Sequence, residues 1–154
     1  GKLLPYTLIF TLLGVIGNLL LYRFMNFTLL SGIGWMFLAT FLLVLAAQGL
    51  GILFVGVLPV LRDAVTVAGV FGTLSITAAG ATFPVEQLPY FLRALTSAFP
   101  LRHYFLIYVN QALNGTDISF SITKYIILFA FTLLPLFVYK RLKNAAIDMN
   151  NPAK

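Results

Sequence analysis

Long uncharged runs set the limits on what this chain can fold into. Twenty residues without a charge lie between Lys2 and Arg23, 38 between Arg23 and Arg62, 22 between Asp63 and Glu86, and 15 between Lys124 and Lys140. The hydrocarbon core of a bilayer is about 30 Å thick and a helix rises about 1.5 Å per residue, so about 20 apolar residues make one crossing. Charges stand only where the runs break. The chain is therefore expected to be an all-α membrane protein, a set of spans with short connections.

Of 154 residues, 60% are hydrophobic and 9% charged, against roughly 25% charged in soluble domains. That leaves no room for an aqueous domain, and residues 1–154 read as a single membrane unit. The net charge of +6 does not point to nucleic acid. Six of the ten basic residues, Lys2, Arg62, Lys140, Arg141, Lys143 and Lys154, sit near the ends or in one short loop. Positive charge so placed orients spans in a membrane. There is no cysteine, which excludes disulfides and thiolate metal sites. Lys2 ahead of an apolar run resembles a signal peptide, but the run is too long and lacks a small-residue cleavage site. With Gly rather than Met at its start, the chain reads as part of a longer protein.

Four transmembrane helices are expected, at about 3–22, 32–57, 64–81 and 118–139. The first has Pro5 in its opening turn, where a missing N–H costs nothing, and Asn18 as its one strongly polar residue. The second starts near Trp35 and ends before Pro59. It is longer than a bilayer requires, which predicts tilt or a kink. Gln48 lies near its middle, beside a small-residue face of Ala47, Gly49 and Gly51. Arg62 and Asp63 read as a tight charged turn. In the third span Ala64, Ala68 and Gly72 recur every four residues, with Gly69, Thr73 and Thr77 as a second row. Small residues at this spacing let helix backbones approach closely in lipid, so Gly51, Ala64, Ala68 and Gly72 are expected to be packing positions. The last span has Lys124 near its first turn, with a side chain that can reach towards the headgroups, and ends in the basic cluster Lys140-Arg141-Leu142-Lys143.

Residues 82–117 break the pattern. They hold Glu86, Arg93, Arg102, His103 and Asp117, together with Pro84, Pro89 and Pro100. Pro89 starts a helix whose apolar residues Leu88, Phe91, Leu92, Leu95 and Phe99 follow three-to-four spacing. Pro100 ends it. A second helix, about 101–113, stops at Asn114-Gly115. Both are too short to span, which predicts a Pro-broken re-entrant or interfacial hairpin before the last span. Arg102 and His103 are expected at the edge of an interfacial helix.

Four spans place both ends on one side of the membrane. The distribution of Lys and Arg makes that side the cytoplasm and puts the hairpin outside. Asn114-Gly115-Thr116 is formally a glycosylation sequon on that outer face. No phosphate-binding loop, dinucleotide fingerprint, metal-ligand cluster or nucleophile elbow is present, so no catalytic residue is expected. Asn18 and Gln48 either line a substrate path or hydrogen-bond between helices, since polar groups in lipid need partners. Glu86 and Arg93 stand seven residues apart across Pro89, as a pair at an outer exit or as charges facing the headgroups.

Three segments carry a resemblance. They are Ala79-Gly-Ala-Thr-Phe-Pro-Val-Glu-Gln-Leu-Pro89, Phe99-Pro-Leu-Arg-His-Tyr104 and Gln111-Ala-Leu-Asn-Gly115. Together they resemble the C-terminal region of type-2 ABC exporter permeases. There a small-residue span leads to Phe-Pro, then a second proline, a third proline after an amphipathic turn, and a glycine before the last span. The opening Gly1-Lys2-Leu-Leu-Pro-Tyr6 is similar to the start of the third span in the drug-efflux branch. One departure is the loop Leu58-Pro-Val-Leu-Arg-Asp63, usually more polar in that family.

The resemblance implies the last four spans of an ATP-driven export permease of a bacterial inner membrane. Such a chain would pair with a second permease copy or homologue and with a cytoplasmic ATP-binding-cassette ATPase. ATP and Mg would be held by that partner and no cofactor by this chain. Its translocation path or gate would involve Asn18, Gln48, Pro84, Glu86, Pro89, Arg93 and Pro100. The alternative is a non-transport membrane assembly or anchoring subunit. The sequence does not name the substrate.

Overall fold

The computed structural model describes residues 3–24, 32–80, 89–139 and 143. All secondary structure among them is helical. Helix α1 covers Leu3–Phe24, α2 Ile33–Val57 and α3 Leu61–Ala78. Two short helices follow, α4 over Tyr90–Thr96 and α5 over Pro100–Tyr108. The latter runs on as a π-helix at Val109–Leu113. A 3-10 turn, Ile118–Phe120, leads into α6 over Ile122–Thr132, and the chain is helical again at 135–139. Three segments are long and apolar enough to cross a membrane: Leu3–Phe24, Ile33–Val57 and Ile122–Tyr139. With 22 and 25 residues, α1 and α2 measure about 33 and 38 Å, more than a hydrocarbon core.

Helix α3 differs from its expected form. It begins at Leu61 rather than Ala64, so Arg62 and Asp63 form its first turn instead of a separate link. The Ala64 N–H bonds the Val60 carbonyl at 3.1 Å, and Asp63 sits where the helix dipole favours a carboxylate. The helix also ends earlier than expected. Ala79 is its C-cap and Gly80 follows with φ of 90°, a left-handed stop that glycine adopts without strain. Eighteen residues with Arg62, Asp63 and many Gly, Thr and Ser do not reach the apolarity of the three candidate spans.

Helix α2 is the hub, packing against α1, α3, α5 and α6. The core cluster is Ala39, Leu42 and Ala46 of α2, Ile107 of α5, and Tyr125 and Leu128 of α6. On α2 the buried residues Ala39, Leu42, Ala46, Gly49 and Gly56 repeat with alternating three- and four-residue steps, skipping one step at position 53. This is the seam spacing of paired helices. Small residues along it bring α6 close. A Cβ on Gly49 would stand 2.7 Å from the Phe131 carbonyl oxygen, and one on Gly56 would stand 2.7 Å from Val138 Cβ.

Pro135 explains the shape of α6 at this contact. It has no N–H to give the Phe131 carbonyl four residues back, so the helix tightens. Leu133 bonds Ala130 O, Leu134 bonds Phe131 O at 3.3 Å, and Leu136 bonds Leu133 O. The underused Phe131 carbonyl lies against Gly49.

The expected packing positions divide. Ala64 is buried and Ala68 is half-buried, whereas a Cβ on Gly51 or Gly72 would meet nothing within 4 Å. Among the described residues the close approaches are at Gly14, Gly49 and Gly56 instead. Any packing role for Gly51 and Gly72 lies with something outside the described residues.

Candidate functional site

Two uncharged polar stations link the spans. Near one end of α1, the Thr7 hydroxyl lies 2.9 Å from Gln48 Oε1 on α2 and 2.9 Å from the Leu3 carbonyl. Further along, Asn18 Nδ2 of α1 donates to Thr40 Oγ1 of α2 at 3.2 Å and to the Tyr104 hydroxyl of α5 at 3.4 Å. Thr40 in turn donates to the Met36 carbonyl at 2.9 Å. The buried hydroxyl of Thr40 thus joins α1, α2 and α5. Asn18 and Gln48, singled out from the sequence as path or interhelical residues, both make interhelical hydrogen bonds. Their partners Thr7, Thr40 and Tyr104 were missed. Thr40 and Gln48 stand eight residues apart, a spacing that puts them on one face.

Between the stations lies a laterally open cleft of about 550 Å³, lined by residues of α1 and α2 and by Tyr104. A second cleft of about 550 Å³ runs between α2 and α3, lined by Gln48, Gly51, Ile52, Ala64 and Ala68 among others. A third, of about 270 Å³, reaches Pro100 past Ala47, Ala68 and Gly72. Gln48 borders the first two and Ala47 the first and third, so α2 presents one continuous grooved face between α1 and α3.

The α4–α5 segment holds a second cluster. Arg102 is 8% exposed and His103 6%, so both are buried within the bundle rather than at a helix edge as expected. The reason is α4. Its seven residues leave C-terminal carbonyls without helical partners. Arg102 Nη1 donates to the Arg93 carbonyl at 2.5 Å and to the Thr96 hydroxyl. His103 Nε2 lies 2.8 Å from the Ser97 carbonyl, so Nε2 carries the proton and donates. Cations near a helix C-terminus also meet a favourable dipole. Burial pushes the His103 imidazole below its ordinary range, the Ser97 bond works against this, and the Arg102 and Lys124 charges add to the depression. A neutral ring leaves Nδ1 a bare lone pair, consistent with its lack of a partner among the described residues.

The π-helix serves a third contact. Gln111, 1% exposed, accepts from the Tyr125 hydroxyl at 3.0 Å, and that hydroxyl lies 2.9 Å from the Trp35 carbonyl. One phenol ties the π-helix, α6 and the start of α2. The other candidates from the sequence are more scattered. Pro89 is the exposed N-cap of α4, Arg93 is exposed in its last turn, and Pro100 is the buried first residue of α5. Pro84 and Glu86 lie outside the described residues, and with them any pairing of Glu86 and Arg93.

Long apolar helices tied by neutral hydrogen bonds, with a grooved central helix, define a multi-pass helical membrane protein. A family model described as ABC-2 type transporter matches residues 1–113. The chain belongs to the ABC-2 type transporter family, as a transmembrane component. That component is the permease, not itself catalytic, and in this family it normally works with an ATP-binding-cassette partner. Neither a comparison with curated proteins nor one with solved structures found a match.

Proposed function

We propose that this chain is the C-terminal membrane part of an ATP-driven export permease of the drug-efflux-like branch, working in a bacterial inner membrane. In this reading α3 is a fourth span. Its 18 residues measure about 27 Å, and the short link 58–60 returns the chain against α2. Residues 82–117 form the outer hairpin. The chain pairs with a second permease copy, and ATP and Mg belong to a cytoplasmic ATPase partner. The single observation that carries the reading is the grooved face of α2, with neutral polar groups placed at apolar depth. A protein that only anchors others has no need to keep Gln48 beside an open cleft.

Both ends of the chain are expected in the cytoplasm, because the basic cluster after Tyr139 resists translocation. Reporter fusions after Lys143 and within 116–119 check this. A periplasmic signal from the first would invert the topology and remove the outer hairpin from the exit.

Export itself is to be measured in vesicles holding the permease and its ATPase, normalised to folded protein. Gln48→Leu, Glu86→Gln and Arg93→Gln are each expected to lower export several-fold while leaving the folded amount nearly unchanged. If Glu86 and Arg93 act as a pair, the double change costs less than the sum of the singles. Undiminished export in all three would return the chain to the assembly or anchoring role.

A further inference from the structure

The cleft between α1 and α2 has a chemical signature beyond its size. Its volume of about 550 Å³ falls in the range of sites for small organic molecules, about 300–1,000 Å³. Leu43, Val44 and Ala47 form its α2 wall, between Thr40 at one end and Gln48 at the other. Eight residues of helix separate those two, about 12 Å along the axis. No Asp, Glu, Lys, Arg or His lines it among the described residues.

The polar groups present are donors with capacity to spare. Thr7 has one hydroxyl proton and two acceptors at 2.9 Å, the Leu3 carbonyl and Gln48 Oε1. It cannot fully serve both. If it donates to Gln48, both Gln48 N–H groups remain without a partner among the described residues. If the amide is turned, one N–H is used on Thr7 and one remains. In either orientation at least one Gln48 N–H is available to an occupant of the cleft. At the other station, the Tyr104 hydroxyl accepts from Asn18 at 3.4 Å and lies 3.5 Å from Thr40. Its proton has no acceptor closer than that among the described residues.

We infer that this cleft binds an uncharged amphiphile: an apolar chain lying against Leu43, Val44 and Ala47, with neutral acceptor oxygens (ester, ether, carbonyl or hydroxyl) that meet Gln48 at one depth and Tyr104 at the other. An ionised headgroup does not fit. At this depth it loses its water and meets no opposite charge among the described residues, whereas neutral oxygens need only the donors already present. Two stations of like chemistry on one helix face also give such a molecule two resting places along the span. Naming the occupant a substrate rests on the export reading. Occupancy of the cleft does not.

The chain has no cysteine, so Ala47→Cys puts one thiol in the cleft wall. Its alkylation at residue 47 is to be followed by mass spectrometry in the full chain, held in lipid nanodiscs. Three probes share a lauryl tail: 1-lauroylglycerol, lauryl sulfate and lauryltrimethylammonium. At about ten times its dissociation constant, 1-lauroylglycerol is expected to slow the reaction roughly tenfold, while the two charged probes leave it nearly unchanged. Adding Gln48→Leu or Tyr104→Phe, each near the original volume, is expected to weaken that protection several-fold at unchanged thermal stability.

Equal slowing by all three probes would show a greasy groove with no headgroup selection and overturn the inference. So would no slowing, or protection that survives both substitutions. Missing protection beside intact ATP-driven export would sink the inference and leave the permease reading. Selective protection without export would do the reverse.

Discussion

Gly49→Leu is expected to destabilise the bundle by about 3 kcal/mol or more, at the upper end of what overpacking costs. Even the first added carbon stands 2.7 Å from the Phe131 carbonyl oxygen, with Thr132 Cα at 3.5 Å. These are backbone atoms, which cannot swing aside as a side-chain tip does. Gaining a better helix former than glycine returns up to about 1 kcal/mol, too little to offset the clash. Helix α6 must then move off α2, and the core contacts of Ala46 and Leu128 go with it. Gly72→Leu is the matched control. Nothing lies within 4 Å of its added Cβ, so its effect on the unfolding of the single chain is expected within about 0.5 kcal/mol. Thermal unfolding in detergent, followed by fluorescence of the single tryptophan, Trp35, compares the two. Equal losses would mean that the α2–α6 seam is misplaced. If Gly72 instead meets a second copy, its substitution changes the oligomeric state and spares the unfolding temperature.

Arg102→Leu is expected to undo α4 and leave the rest of the bundle standing. A seven-residue helix does not hold itself together in isolation. Here the Arg102 guanidinium ties its C-terminal end through the Arg93 carbonyl and the Thr96 hydroxyl. Hydrogen bonds from a charged donor contribute about 1.5–3 kcal/mol each. Against this stands the desolvation of a largely buried cation, which also lowers its pKa. The balance is a loss of about 2 kcal/mol, confined to this segment. Hydrogen exchange of the Arg93, Ser97, Ala98 and Phe99 amides is the readout. Each donates to a carbonyl of residues 89–96, and each should lose protection by an order of magnitude or more, while amides of α2 keep theirs. Arg102→Lys should restore part of the protection, since an ammonium reaches one of the two acceptors. Unchanged exchange would show that α4 is held by its apolar contacts alone.

Much of the fold was legible because lipid makes helix formation a local matter. Without water to satisfy a backbone, an uncharged run of sufficient length closes its own hydrogen bonds. α1 and α2 accordingly fall within a residue or two of their expected ends. The two short helices around Pro100 were legible in part: Pro89 reads as a helix start and Pro100 as the break, whereas the first helix stops at Thr96 and Pro100 is the first residue of the second. The ABC-2 family model matches residues 1–113, a stretch that includes two of the three segments that carried the resemblance. For α3 the expected boundaries slipped by three residues at each end, because Arg62 and Asp63 read as a loop although charge is welcome in a first turn.

The site was legible in its polar residues and not in their partners. Asn18 and Gln48 stood out as costly in lipid. Thr7, Thr40 and Tyr104 did not, since a hydroxyl on a helix often bonds its own backbone, as Thr40 does to Met36. Arg102 and His103 were misjudged because their acceptors, the open end of α4, exist only once α4 stops at Thr96.

The sequence by itself determined the class of protein, an all-helical membrane chain, and the places of its two longest helices, α1 and α2. These follow from composition and from bonds made within a few residues. Only the tertiary structure decided which small residues are contacts. Of the expected small-residue face Ala47, Gly49 and Gly51, only Gly49 belongs to the buried row Ala39, Leu42, Ala46, Gly49 and Gly56. In a helix that is apolar on every side, no polar face marks which row turns inward. The tightened turn before Pro135 and the Phe131 carbonyl, which accepts from Leu134 at 3.3 Å and stands 2.7 Å from where a Cβ on Gly49 would be, settle it by offering α2 a surface that glycine alone can meet.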